Sequence, residues 1–171
     1  MGTLKLLYWK HYLKYGILAS VCYCTTVSFF CRDATFAKTW LLFAGNLAYL
    51  IIIAISLFSF NRKKKNDANT VSMLTAGHIT TLTGILLSCI FCFVILIIYI
   101  PGFLQRGIPG KLLTDEPAMI VHGKTNGMVF MIYMSIIIGN FVSGFAASII
   151  FSFTLKRNQT GEAVQPGKSE L

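Results

Sequence analysis

Four long apolar runs divide this chain, and none of them carries Asp, Glu, Lys, Arg or His at its centre. Such runs leave a polypeptide few options, because a backbone in hydrocarbon must satisfy its own hydrogen bonds, and a helix does so within a single segment. The runs fall at about residues 15–31, 40–60, 79–100 and 127–155. The second contains LAYLIIIAISLF, and at roughly 1.5 Å per residue it measures about 31 Å, the thickness of a hydrocarbon core. The predicted fold is an all-α membrane protein with four transmembrane helices in a bundle.

Composition agrees. Of 171 residues, 55% are hydrophobic and 12% charged, against roughly 45–50% and 25% in a soluble domain. Residues 1–157 form one membrane domain, and the polar stretch 158–171 (NQTGEAVQPGKSEL) is expected to be a disordered cytoplasmic tail. The formal charge of +9 does not point to nucleic acid, since the basic residues cluster at the ends of apolar runs and form no groove. Ten of the fifteen Lys and Arg side chains sit on the side shared by the N-terminus, the Arg62-Lys63-Lys64-Lys65 turn and the C-terminus. The positive-inside rule then places both termini in the cytoplasm. The mixed aromatic and basic stretch LKLLYWKHYLK before the first run suits the headgroup level. A charged start with a short apolar core also fits a signal peptide, but the run ends in Phe29-Phe30-Cys31-Arg32, so a retained helix is expected.

The fourth run shows what those helices pack with. Ser135, Gly139, Ser143 and Ala147 recur every four residues, and Asn140, Gly144, Ser148 and Ser152 form a second stripe beside them. Residues four apart lie on one helical face, so this face lacks bulk and admits another backbone closely, which is how helices associate in lipid. The same step occurs as Gly16, Ser20, Cys24, Ser28 in the first run and as Thr80, Gly84, Ser88, Cys92 in the third. The first, third and fourth helices are expected to pack tightly.

The two hairpins also look alike. Residues 16–24 (GILASVCYC) match residues 84–92 (GILLSCIFC) at five of nine positions. Gly45-Asn46 and Gly139-Asn140 are each followed, about a dozen residues on, by Phe-Ser-Phe and then basic residues. Two readings fit these echoes: chance matches within an apolar alphabet of few letters, or a duplicated helical hairpin, two parallel copies about an axis along the membrane normal.

Candidate chemistry is sparse. Intramembrane ionisable groups, the usual mark of ion-coupled transport, are missing from the span centres. Asn46 and Asn140 are the most polar groups within the spans; their amides need partners and could bond one another or line a polar path. Cys89 and Cys92 form a C-x-x-C on the third helix that could hold a metal or cycle redox state, but no second knuckle with His accompanies it, and small buried apolar groups are the preferred reading. His122 with Asp115, Glu116 and Lys124 is the one acid-base cluster, on the loop 101–126. No catalytic residue, metal ligand or cofactor is assigned.

A short first hairpin, a basic turn, a third helix opening with GHITTLTG, a longer outer loop and a small-residue-rich last helix ending in Lys156-Arg157 make up the layout. In this layout the chain resembles uncharacterised four-helix inner-membrane proteins of Bacteroidetes. The resemblance implies a bacterial inner-membrane location and carries over no functional residue. The leading expectation is a non-enzymatic protein that works by helix-mediated assembly, as a homo-oligomer or as an accessory subunit of a membrane partner. Two alternatives stand beside it: a permeation pathway for a neutral or weakly charged solute, lined by Asn46, Asn140 and neighbouring hydroxyls, and a membrane enzyme using the loop 101–126.

Overall fold

The computed structural model describes residues 2–33, 36–64, 68–99 and 126–162. Helix α1 runs Gly2–Asp33, α2 Trp40–Lys63 and α3 Thr70–Tyr99. Helix α4 joins two α-helical stretches, Asn126–Met134 and Asn140–Glu162, through a five-residue π turn at Ser135–Gly139. All four are long and apolar enough to cross a membrane. The chain is an all-α four-helix bundle.

Three boundaries differ from the sequence expectation, the first being α1, which begins at Gly2 rather than near Tyr15. Helix α3 begins at Thr70 rather than near Ile79, because Asn69 caps it: the Asn69 side-chain oxygen accepts the Ser72 N–H at 2.8 Å, and the Ser72 hydroxyl donates to the Asn69 carbonyl at 3.0 Å. Such a cap satisfies a donor that the first turn leaves orphaned. Helix α4 continues through Glu162, so residues 158–162 of the expected disordered tail are helical. No proline or glycine stands between Leu155 and Asn158 to end the helix at the last apolar residue. Residues 163–171 lie outside the described residues.

Helix α1 packs along α2 and α3, and α4 packs along the same two. Helices α2 and α3 also approach each other, whereas the backbones of α1 and α4 come no comparable distance together. The bundle is therefore a rhombus with α2 and α3 on its short diagonal. This corrects two expectations. Of α1, α3 and α4, expected to pack tightly, α3 does pack along both others, but α1 and α4 do not pack on each other, since α2 and α3 lie between them. Nor does one axis along the membrane normal relate the hairpins, because it would exchange the α2–α3 contact with an equal α1–α4 contact. One equivalent pair does meet, Gly16 against Gly84, whereas Gly139 meets Asn46 rather than its counterpart Gly45.

The ends of the bundle are distinct. Tyr8, His11 and Tyr12 of α1 lie beside Phe60 at the end of α2, and Lys64 stands over the Tyr8 and Phe60 rings. We call this the basic end. The opposite, far end holds Arg32, Lys38 and Trp40, which line a shallow cleft with Phe29 and Leu41.

The outward surface is bulky and apolar, with Phe43 72%, Leu86 66% and Ile98 70% exposed, as suits lipid. Small and polar side chains turn inward. On α4 seven residues at a strict step of four, Met128, Ile132, Ile136, Asn140, Gly144, Ser148 and Ser152, are all buried. An α-helix gains about 40° per four-residue step, so a straight one would carry this stripe around to the lipid. The π turn in its middle takes more residues per turn and counters that drift.

Candidate midspan polar site

Glycines fix the levels at which the helices meet. A Cβ on Gly16 would stand 3.0 Å from the Thr83 methyl and 3.3 Å from the Gly84 backbone nitrogen. The register that sets Gly16 on Gly84 sets Ser20 level with Ser88. On the other side of α3, Gly84 receives the Tyr49 hydroxyl, which donates to the Thr81 carbonyl at 2.6 Å. Gly144 receives the Thr81 side chain, and Gly77 receives Ser148. Asn140, one turn from Gly144, is thereby brought level with Ile85. Between α1 and α2, Gly45 receives Thr26 and Tyr23.

These levels gather polar groups from all four helices near mid-length, within about two turns, or roughly 11 Å. Ser20 and Tyr23 come from α1, Asn46 and Tyr49 from α2, Ser88 from α3, and Ser135 and Asn140 from α4. Some bonds close among them. The Asn46 amide donates to the Ser135 hydroxyl at 3.2 Å, and the Cys24 thiol lies 3.8 Å from the Ser88 carbonyl. The backbone N–H of Asn140 closes the π turn onto the Ser135 carbonyl.

Six buried atoms of the cluster find no hydrogen-bond partner among the described residues: the Ser20 and Ser88 hydroxyls, the Tyr23 hydroxyl, the Asn46 oxygen, and both amide atoms of Asn140. Asn140 is 0% exposed. A buried polar atom left unsatisfied costs about 1–3 kcal/mol, so six together amount to on the order of 10 kcal/mol, comparable to the whole stability of a typical domain. The cluster is chemically a receptor for hydrogen-bonding groups, uncharged and offering both donors and acceptors.

The residues singled out from the sequence distribute as follows. Gly16, Ser20, Gly84, Ser88, Gly144 and Ala147 are buried inside the bundle, and Ser135, Gly139 and Ser143 are half-buried at its edge. The small faces are thus largely consumed within one copy of the chain. Asn46 and Asn140 belong to one cluster but do not bond one another, because Asn46 turns its amide to Ser135. Sequence reasoning passed over Tyr23 and Tyr49, both 0% exposed. The available signal was a tyrosine in the middle of an apolar run, whose hydroxyl requires a partner at that depth.

Other candidates separate from the site. Cys24, Cys31 and Cys89 neighbour Cys92, all five thiols are free, and no group of three His, Cys, Asp or Glu among the described residues is placed to hold a metal ion. His11 is buried at the basic end, where its Nε2 faces the Ser56 carbonyl at 3.2 Å and its Nδ1 faces the Lys63 ammonium at 3.4 Å. Those partners select the neutral Nε2–H tautomer. His78 contacts the Leu74 carbonyl at 2.7 Å and the Phe145 ring edge-on. His122, Asp115, Glu116 and Lys124, with the loop 101–125, lie outside the described residues. The chain matches no protein-family model, no curated protein and no solved structure, so the site is read from its own geometry.

Proposed function

We propose that this chain is a non-enzymatic multi-pass membrane protein that binds a small uncharged polar solute at the bilayer midplane and allows it to permeate. The observation carrying this reading is the Asn140 side chain, wholly buried with both amide atoms unpartnered, in a cluster to which every helix contributes. Binding sites at mid-membrane depth beside an interrupted helix are a recurrent arrangement in transporters, and π turns frequently mark functional sites. An uncharged site suits an uncharged solute. Positive-inside bias places both termini in the cytoplasm, and the layout resemblance supports a bacterial inner membrane.

The test is solute entry into proteoliposomes, followed by stopped-flow light scattering with water, ammonia, urea and glycerol. The wild-type chain is expected to raise permeability to at least one of these above protein-free vesicles, and Asn140→Leu to abolish the increase. Equal permeability in all three preparations would overturn the reading. Assembly is a second reading, supported by the half-buried edge residues Ser135, Gly139 and Ser143, which a second copy or a membrane partner would cover. Disulfide trapping of a Ser143→Cys dimer in native membranes tests it.

A further inference from the structure

The interior is polar toward one end only. Among the described residues, every buried polar or charged side chain, from Ser20, Ser88 and Asn140 at mid-length to Thr80, Thr81, Ser56, Ser148, His11, Asn61 and Ser152, lies at mid-length or toward the basic end. Beyond Tyr23 toward the far end the buried side chains are Cys24, Val27, Phe30, Cys31, Leu42, Cys92, Leu96, Met128 and Ile132. That half is a continuous apolar plug.

From the cluster toward the basic end, the seam between α3 and α4 carries an oxygen at every turn. Asn140 is followed by Thr81 against Gly144, then Ser148 against Gly77, then Ser152, whose buried hydroxyl has no partner. The Thr81 hydroxyl donates to the Gly77 carbonyl at 2.8 Å, and the Ser148 hydroxyl donates to the Gly144 carbonyl at 2.6 Å. With their protons committed, these oxygens present lone pairs to whatever passes, so a traveller must donate hydrogen bonds. Asn140 both donates and accepts, so the bound molecule must do both. Among the described residues no anionic group lines the seam to stabilise a cation, and Gly77 and Gly144 hold the helices too close for a bulky guest.

Building on the proposed midplane binding, we infer that the cluster is reached from the basic end, along the seam between α3 and α4, by an uncharged molecule of few heavy atoms that both donates and accepts hydrogen bonds. Water and ammonia share this chemistry, and the flux assay above separates them. The far half stays sealed while the α3–α4 seam parts.

The chain's own thiols serve as controls for the test. Single variants Ser148→Cys and Ser152→Cys are reconstituted in vesicles of known orientation and treated with methyl methanethiosulfonate, with glutathione as impermeant scavenger on one side at a time. Peptide mass spectrometry reads each cysteine separately. The introduced thiols are expected to react about tenfold faster than native Cys31 and Cys92 in the plug, a ratio equivalent to roughly 1.4 kcal/mol, and glutathione on the basic side alone is expected to suppress this. Should Ser148→Cys fail to fold, Ser152→Cys carries the test on its own. Suppression from the far side alone, or equal reactivity of Cys31 and Cys92, overturns the route. Fast labelling from the basic side without flux supports the route while removing the permeation reading; flux without such labelling does the reverse.

Discussion

The two halves of the bundle solve the same packing problem with different residues. In the far half α1, α2, α3 and α4 meet through Val27, Phe30, Leu42, Leu96, Met128 and Ile132, all buried, and cohesion there is dispersion between interlocking apolar groups. In the basic half Gly77, Gly84 and Gly144 bring backbones close, and Thr80, Thr81 and Ser148 return their hydroxyls to their own helices at 2.6–2.8 Å. A smaller apolar cluster of Leu57, Phe60, Ala68, Met73 and Ala76 also lies toward that end. The comparison teaches that a helix pair in lipid can be held by bulk or by its removal, and that only the second leaves oxygen atoms inside. One stripe of α4 shows both solutions, apolar at Met128, Ile132 and Ile136 before the π turn ends, and small or polar from Asn140 onward.

The largest effect expected from this contrast is in the far half. Leu96→Asn both empties packed volume and buries an amide, and should lower stability in mild detergent by about 2–5 kcal/mol. Ala147→Ser in the basic half should change it by less than about 0.5 kcal/mol, because the new hydroxyl can donate to the Ser143 carbonyl as Ser148 does to Gly144. Equal losses in thermal melts would erase the distinction between the halves. Next comes Gly84→Val, which drives a side chain into the Tyr49 hydroxyl and should cost about 1–3 kcal/mol in the same assay.

Tyr49→Phe removes the 2.6 Å bond to the Thr81 carbonyl and should cost about 0.5–1.5 kcal/mol, leaving the α3 carbonyl with its helical partner. Smallest is Asn140→Leu. With neither amide atom bonded to protein, its replacement by an apolar side chain of similar volume is expected to leave melting unchanged or raise it slightly, while removing permeation. A large loss of stability would mean that the amide is a structural tie and would move Asn140 out of the binding role.

Much of the basic half was legible in the sequence, because glycine, serine and threonine at a four-residue step are conspicuous against an apolar background. Gly16, Gly84 and Gly144 were found that way. The far half was not, since Ile132 and Ile136 facing the core read the same as Ile137 and Ile138 facing lipid, the latter 45% and 57% exposed. Neighbour choice was also hidden: apolar periodicity says that a helix has an inner face but not which helix meets it, so the rhombus and the absence of a common hairpin axis emerged only from the fold. The site itself was half legible. Asn46 and Asn140 stand out as amides in apolar runs, but the π turn that keeps Asn140 inward has no sequence signature of its own, and Tyr23 and Tyr49 are inconspicuous among the aromatic residues of such runs.

The most direct test of the central claim is an experimental map of the protein in a lipid nanodisc, at a resolution that shows ordered solvent. It is expected to show non-protein density hydrogen-bonded to both amide atoms of Asn140 and to the Ser20 and Ser88 hydroxyls, with none among Val27, Leu42, Leu96 and Ile132. Asn140 bonded instead to a neighbouring side chain in a dry interior would contradict it.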